Sequence, residues 1–209
     1  MSILVISPHP DDESIGMGGT IRKHVTEGDT VDIIFLTSGE KGGHGRNEEE
    51  TMRIREKEAR KAAKILEINS VEFWKQPDGK CEANIANIER MAAKLRVFLP
   101  AIIYVTHEGE QHPDHRAAAE IVKQATIVLQ KSKRPVVYMY EVWTPLSTID
   151  HIVDISKYVA IKRKAIKAHK SQCDVLKFHV SALALNRYRG EMHSWPGGEY
   201  AEVFKQMKL

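Results

Sequence analysis

The chain has 209 residues, of which 42% are apolar and 28% are charged, and these proportions exclude a disordered chain, a collagen-like chain and a small disulfide scaffold. The formal charge of +3 is too weak to predict a nucleic-acid partner. No apolar run approaches the ~18 residues of a membrane span, and no basic leader precedes the first apolar run, so we expect a cytoplasmic protein without membrane contact.

Short apolar runs alternate with longer segments in which apolar residues recur every three or four positions, which predicts alternating strands and helices. We predict strands at residues 3–7, 31–37, 70–74, 101–106 and 136–141, and helices at 15–27, 48–67, 84–99 and 114–130. Beyond residue 141 the pattern is less regular. There we predict only a strand at 151–155 and a helix at 157–171.

This order of elements is typical of an α/β fold, in which a parallel sheet carries helices on both faces. No internal repeat or linker divides the chain. We therefore expect one domain over residues 1–209, made of a core at 1–141 and a C-terminal elaboration at 142–209. A glycine-rich loop at 38–47 follows the second predicted strand and is a candidate for closing over a substrate.

Two tetrapeptides concentrate histidine and aspartate: His-Pro-Asp-Asp at residues 9–12, followed by Glu13, and His-Pro-Asp-His at residues 112–115. Each follows a predicted strand and precedes a predicted helix. Ligands of open α/β sheets bind beyond the carboxyl ends of the strands, so we expect the two motifs to meet at one rim. One such motif alone is equally typical of a helix start, because proline suits the first helical turn and aspartate the N-cap.

Together, His9, Asp12 and His115 make the ligand set of a catalytic zinc site, with two imidazoles and one carboxylate around an open fourth position. Ferrous iron is also compatible with these ligands. Adjacent side chains point in different directions, so Asp11 is free to act as general base toward the water that the metal activates. In the second motif, His112 is a candidate donor to the developing oxyanion. Asp114 is placed to fix the tautomer of one of the imidazoles of this motif.

Two further polar residues are candidates for substrate binding. Arg55 lies on an otherwise apolar helix stripe, where a charge needs a partner, and that partner is either the substrate or a carboxylate elsewhere in the chain. Asp78 is either a turn residue or a ligand for a sugar hydroxyl. Trp74 and Trp195 are candidates for stacking on a sugar ring or for packing in the core.

The two histidine motifs in combination resemble those of the PIG-L/LmbE-like zinc-dependent deacetylases, which act on N-acetylglucosaminyl substrates; bacillithiol-biosynthesis-type deacetylases are among the members that the chain resembles. Weaker matches follow in the family's order: Arg-Glu-Lys-Glu-Ala at 55–59, Gln-Pro-Asp-Gly at 76–79, His-Lys-Ser-Gln at 169–172 and Tyr-Ala-Glu-Val-Phe at 200–204. The chain departs from the family at Glu110 and Gln111, where members often carry an arginine or tyrosine that assists substrate binding.

The resemblance implies a Rossmann-like three-layer sandwich with a mostly parallel sheet and a tendency to form homo-oligomers. It assigns the same site roles as the residue types do: metal ligands His9, Asp12 and His115, general base Asp11, oxyanion partner His112 and its support Asp114. The implied activity is hydrolysis of the acetamide of a small-molecule N-acetylglucosaminyl conjugate with release of acetate. An amidase acting on thiol conjugates, a metal-dependent phosphoesterase and a sugar-binding protein without turnover are the alternatives.

Overall fold

The computed structural model describes residues 1–193 and 198–209, so Trp195 lies outside the described residues. Its strands are β1 (Ser2–Ser7), β2 (Thr30–Thr37), β3 (Ser70–Gln76), β4 (Ile102–Thr106), β5 (Val136–Tyr140), β6 (His151–Asp154) and β7 (Ala201–Gln206). Its helices are α1 (Asp12–Thr26), α2 (Glu48–Leu66), α3 (Ile85–Phe98), α4 (Pro113–Ile127), α5 (Val159–Ala168), α6 (Lys170–Cys173) and α7 (Phe178–His193).

Within the described residues, all seven strands belong to one sheet in the order β3-β2-β1-β4-β5-β7-β6. The first five strands in this order pair in parallel; Val5 of β1, for example, lies opposite Ile33 of β2 and Tyr104 of β4. Strand β7 inserts between β5 and β6 and runs antiparallel to both. The predicted α/β class with a mostly parallel sheet is therefore confirmed.

Helices cover both faces of the sheet, and successive residues of β1 face opposite layers. Leu4 and Ile6 pack with apolar residues of α3 and α4, whereas Ile3 and Val5 pack with those of α1, α2 and α5. All four side chains are fully buried. Burial on both faces is why the parallel strands appear in the sequence as continuous apolar runs rather than as alternating patterns.

The C-terminal third differs most from the sequence prediction. Helix α7 was not predicted, because buried polar residues such as Asn186 and Arg189 interrupt its apolar face. Strand β7 was not predicted either, since it carries the buried Glu202 among its apolar residues. The single helix predicted at 157–171 is instead a 3₁₀ turn followed by α5 and α6, which are separated at His169. No helix of the described part of the chain combines the length and the apolar character needed to cross a membrane.

A buried ion pair ties this C-terminal strand to the first helix. Lys162 of α5 and Glu202 of β7 are both fully buried, with Nζ 2.5 Å from Oε1. The Glu202 carboxylate also accepts from the backbone N–H groups of Gly19 (2.9 Å) and Thr20 (2.6 Å), just after α1 departs from helical geometry at Met17. The carboxylate thus satisfies N–H groups that the kink releases from the helix.

We expect Glu202→Gln to lower the free energy of unfolding by about 3–5 kcal/mol, because it leaves the buried ammonium of Lys162 without a counter-charge. Urea unfolding followed by circular dichroism measures this change. The matched control is Glu199→Gln, whose carboxylate pairs with Arg187 at the surface, and we expect it to cost less than about 1 kcal/mol. Equal costs for the two variants would contradict this account of the ion pair.

Candidate active site

The two histidine motifs lie at neighbouring strand ends. Residues 9–12 follow β1 directly, and residues 112–115 begin α4 after the adjacent strand β4. Strands β2 and β3 lie on one side of β1, and strands β4 and β5 lie on the other. The order in which strands are added to the sheet therefore reverses between β1 and β4, and α/β sheets bind their ligands at such a point. Both motifs line a cleft of about 330 Å³, together with residues of other loops, and among its lining are His9, Asp11, Asp12, Arg55, Asp78 and His112. The two motifs meet as predicted.

Three side-chain atoms from the two motifs converge. His9 Nδ1 lies 3.2 Å from Asp12 Oδ2 and 3.2 Å from His115 Nε2, and the latter two atoms are 3.1 Å apart. Ligand atoms that lie about 2.0–2.1 Å from a tetrahedral zinc ion are ~3.3 Å from one another, so these three atoms fit a single ion. A His112 nitrogen also lies within 4.8 Å of nitrogens of His9 and His115, which makes it the alternative third donor.

The second nitrogen of His9 faces two carboxylates. Nε2 lies 3.1 Å from Asp78 Oδ1 and 3.2 Å from Asp114 Oδ2. Nδ1 faces one carboxylate, Asp12, whereas Nε2 faces two, so a ring proton on Nε2 serves both of these acceptors and leaves the Nδ1 lone pair for a metal. Three carboxylates around one imidazole also concentrate negative charge that a divalent cation would balance.

The position of Asp114 differs from the sequence prediction. Its carboxylate bonds to His9 and to the N–H groups of Gly79 and Cys81, and not to an imidazole of its own motif. The reason lies in helix capping: His112 is the N-cap of α4, and its Nδ1 accepts from the backbone N–H of Asp114 at 3.2 Å. That hydrogen bond places the His112 proton on Nε2, so its tautomer is set by the backbone.

We expect Asp114→Asn to weaken zinc binding by about 10–100-fold, because an amide no longer accepts from His9 Nε2 with a full negative charge. Competition for zinc with a chromophoric chelator measures the dissociation constant. Asp174→Asn is the matched control, since that carboxylate is exposed and pairs with Lys170 at the surface. Unchanged zinc affinity in Asp114→Asn would contradict a role for this carboxylate in orienting His9.

Asp11 is held in an unusual backbone conformation. Its φ of 135° lies in a region that side-chain-bearing residues rarely adopt, and such strain costs on the order of 1–3 kcal/mol. Its N–H donates to Glu13 Oε2 at 3.1 Å, and its carboxylate accepts from Arg55 at 3.2 Å. The carboxylate of Asp12 instead faces His9 and His115, so the two adjacent carboxylates have different partners, as different roles require.

Arg55 is engaged with the protein itself. Its guanidinium donates to the carbonyls of Gly39 (2.8 Å) and Pro10 (2.9 Å) as well as to Asp11. The chain thus supplies one of the two partners that the sequence left open, the carboxylate of Asp11, and contact with the substrate stays a prediction. Arg55 also joins the glycine-rich loop to the first motif, and the backbone N–H of Lys41 in that loop donates to Asp78 at 2.9 Å.

Burial and charge shift the pKa values of the cluster in different directions. Burial raises the pKa of Asp11 to about 6, although the Arg55 charge opposes this. For Asp12, burial acts in the same direction, but the charges and hydrogen bonds of His115 and His9 outweigh it and lower the pKa well below its usual range. Burial and the neighbouring imidazoles lower the pKa of His112. Two adjacent carboxylates with pKa values so far apart are typical of a site that assigns them different roles.

Sequence reasoning assigned no role to three buried residues near the site. Glu13 holds the Asp11 backbone, and His169 Nε2 lies 3.4 Å from Glu13 Oε1. Glu110 is fully buried, and its carboxylate accepts from all three N–H groups of residues 142–144. Glu13 and His169 belong to the quoted motifs, which was a usable signal. Nothing in the sequence signals the partners of Glu110, because they lie over 30 positions away.

Of the two alternatives that the sequence left open for Trp74, the structure shows packing in the core. Trp74 is buried in the core and its ring is covered by Arg90, whose guanidinium carbon lies 4.1 Å from the ring centre. Trp143, which received no role from the sequence, lines the cleft with 49% of its surface exposed. It meets Phe178 edge to face, with ring centres 5.6 Å apart.

Comparison with known proteins assigns the chain to a family. The family model described as "PIG-L: GlcNAc-PI de-N-acetylase" matches residues 4–126, which include both histidine motifs. The chain is 30% identical over 187 residues to a probable N-acetyl-alpha-D-glucosaminyl L-malate deacetylase 2 of Bacillus anthracis, covering 81% of this chain and 80% of that protein. It is 30% identical over 227 residues to the diacetylchitobiose deacetylase of Thermococcus kodakarensis, covering 96% of this chain and 80% of that protein.

The fold agrees as well. The structure of the N,N'-diacetylchitobiose deacetylase from Pyrococcus horikoshii superposes with a TM-score of 0.87 at 25% identity, covering 99% of this chain and 83% of that one. The family match spans more than half of the chain and contains both histidine motifs, Arg55 and Asp78. The chain therefore belongs to the PIG-L family of GlcNAc-PI de-N-acetylases.

Proposed function

We propose that the protein is a metal-dependent deacetylase that hydrolyses the acetamide of small-molecule N-acetylglucosaminyl conjugates. The observation that carries this proposal is the convergence of His9, Asp12 and His115 at 3.1–3.2 Å, with the separately held carboxylate of Asp11 in the same cleft. The names of the relatives from Bacillus and Thermococcus support the class of substrate.

His9, Asp12 and His115 would hold the metal, which we propose to be zinc, with ferrous iron as the other ion compatible with these ligands. The ion would polarise the amide carbonyl and lower the pKa of a water molecule. Asp78 and Asp114 keep the His9 proton on Nε2, so that Nδ1 stays available as a ligand.

Asp11 is proposed as the general base that takes a proton from the attacking water and returns it to the departing amine. Arg55 keeps this carboxylate in place through its bonds to Asp11 and Pro10. His112 is proposed as the donor to the tetrahedral oxyanion. Its Nδ1 already accepts from the backbone N–H of Asp114, so its proton sits on Nε2. Proton transfer and stabilisation of the oxyanion are thus assigned to two separately fixed side chains, Asp11 and His112.

We assign different substrate roles to Asp78 and Arg55. Asp78 uses one oxygen toward His9 and the other toward Lys41, and a carboxylate has about four acceptor positions, so it can still accept from a sugar hydroxyl. The two Nη groups of Arg55 donate to Gly39, Pro10 and Asp11, so we propose that Arg55 positions Asp11.

This proposal is tested with metal-stripped protein, before and after zinc is restored. The assay measures the acetate, free amine and phosphate that are released from each substrate. The substrates are N-acetylglucosamine, its L-malate glycoside, diacetylchitobiose and a sugar phosphate. Zinc-dependent release of acetate and amine in equal amounts is expected. Release of phosphate without acetate would favour a phosphoesterase. Sugar binding without turnover would indicate a binding protein, and both results would contradict the proposal.

A further inference from the structure

A second cavity lies directly beside the catalytic cleft. Its volume is about 660 Å³, within the range of ~300–1,000 Å³ that is common for small-molecule sites. The two spaces share a wall formed by Ile15, Trp143, Leu176 and Phe178. A molecule whose reacting group occupies the cleft would therefore have its remaining part next to this cavity.

The lining of this cavity is apolar, unlike that of the cleft. Beyond the shared wall, its main side chains are Val142, Pro145, Val180, Ala182 and Leu185. Large apolar groups remain uncovered around it, since Trp143 and Leu176 are each 49% exposed and Val180 is 55% exposed. Such a concentration of uncovered apolar surface in a concave site indicates a binding region.

The charged groups of the lining do not offer a site for an anion. The Glu141 carboxylate is bound by Arg189 at 3.1 and 2.7 Å and by the N–H of Leu146 at 2.6 Å. Among the described residues that line the cavity, Lys177 is the one cation. An anionic aglycone such as L-malate would meet a single exposed lysine, with the carboxylate of Glu141 and mostly apolar side chains around it.

The wall that carries Trp143 is held by buried groups on both sides. The Glu110 carboxylate accepts from the N–H groups of residues 142–144 at 2.7, 3.0 and 3.1 Å, and Glu141 pairs with Arg189. These bonds fix the backbone from which the Trp143 side chain extends, so a ligand does not have to order this segment on binding. The cavity is therefore shaped by the fold itself.

We propose that this cavity binds the aglycone of the N-acetylglucosaminyl substrate and that this aglycone is an apolar aryl or alkyl group. The inference rests on the proposed deacetylase function, because the cleft must hold the acetamide for the aglycone to reach the cavity. The shared wall gives the sugar and the aglycone separate places, with Trp143 and Phe178 at the boundary.

The proposal is tested by the kinetics of acetate release with the zinc-loaded protein. The substrates are the methyl, phenyl and L-malate glycosides of N-acetylglucosamine, each as both anomers. We expect kcat/KM for acetate release from the phenyl glycoside to exceed that of the methyl and L-malate glycosides at least tenfold, as burial of a ring requires. Val180→Asp, at an exposed position of α7, is expected to lower the phenyl-to-methyl ratio of kcat/KM about tenfold.

The matched control is Val97→Asp on α3, which is 84% exposed and remote from both cavities, and it should leave the ratio unchanged. Equal kcat/KM values for all glycosides, or a preference for L-malate, would overturn the apolar aglycone while leaving the deacetylase proposal standing. Acetate release from none of them would overturn the deacetylase proposal itself. Light scattering measures the oligomeric state of each variant. If Val180→Asp dissociates an oligomer and leaves the phenyl-to-methyl ratio of kcat/KM unchanged, the apolar surface of the cavity joins copies of this chain. That result would make the aglycone proposal wrong.

Discussion

Replacing Asp11 with asparagine is expected to lower kcat for acetate release by about 10²–10⁴-fold, which is the usual contribution of a positioned general base. The amide keeps the volume of the side chain and a hydrogen-bond acceptor toward Arg55, but it cannot take a proton from water. The loss in kcat is measured from the acetate that the zinc-loaded variant releases over time. Since the proposed metal donors are on His9, Asp12 and His115, the variant should still bind one equivalent of zinc.

Two controls separate this effect from damage to the fold. Thermal unfolding of Asp11→Asn should remain cooperative, although losing the charge opposite Arg55 will lower its midpoint. Asp174→Asn, a surface carboxylate paired with Lys170, should retain full turnover. Turnover within tenfold of the parent protein in Asp11→Asn, with zinc bound, would mean that another group acts as the base.

The second large effect distinguishes the two histidines of the second motif. We expect His115→Ala to lose zinc during gel filtration, because it removes one of three donors that lie 3.1–3.2 Å from each other. We expect His112→Ala to retain one equivalent of zinc and to lose about 10²–10³-fold in kcat, the usual effect of removing one donor to an oxyanion.

This pair of variants also decides between the alternative third donors. Asp12→Ala is expected to behave like His115→Ala if Asp12 is the ligand, and zinc content by elemental analysis compares the three proteins directly. Loss of zinc in His112→Ala with retention in Asp12→Ala would replace Asp12 by His112 in the ligand set, since a His112 nitrogen lies within 4.8 Å of nitrogens of the other two histidines.

The parallel core could be predicted because its physics is local. Strands such as β1 and β4 are buried on both faces, so they appear as apolar runs, and the intervening helices carry periodic apolar stripes. The meeting of residues 9–12 with residues 112–115 followed from one rule, that the strand ends of a parallel sheet share a rim. Both predictions needed no knowledge of side-chain partners.

Partners far apart in the sequence were not predictable in this way. The capping geometry of α4 turns His112 toward its own helix and sends the Asp114 carboxylate to His9, which spacing within the motif does not reveal. The elements α7 and β7 contain buried polar groups whose partners lie elsewhere, for example Glu202 with Lys162. Their patterns therefore lack the apolar periodicity that marked the core.

The most direct test of the central claim is a titration of the metal-stripped protein with zinc, in which bound metal and the rate of acetate release from an N-acetylglucosaminyl glycoside are measured together. The account predicts a rate that rises in proportion to bound zinc and stops rising at one equivalent, with no rise in His115→Ala. A rate that is independent of zinc, or one equivalent of bound zinc without any acetate, would contradict it.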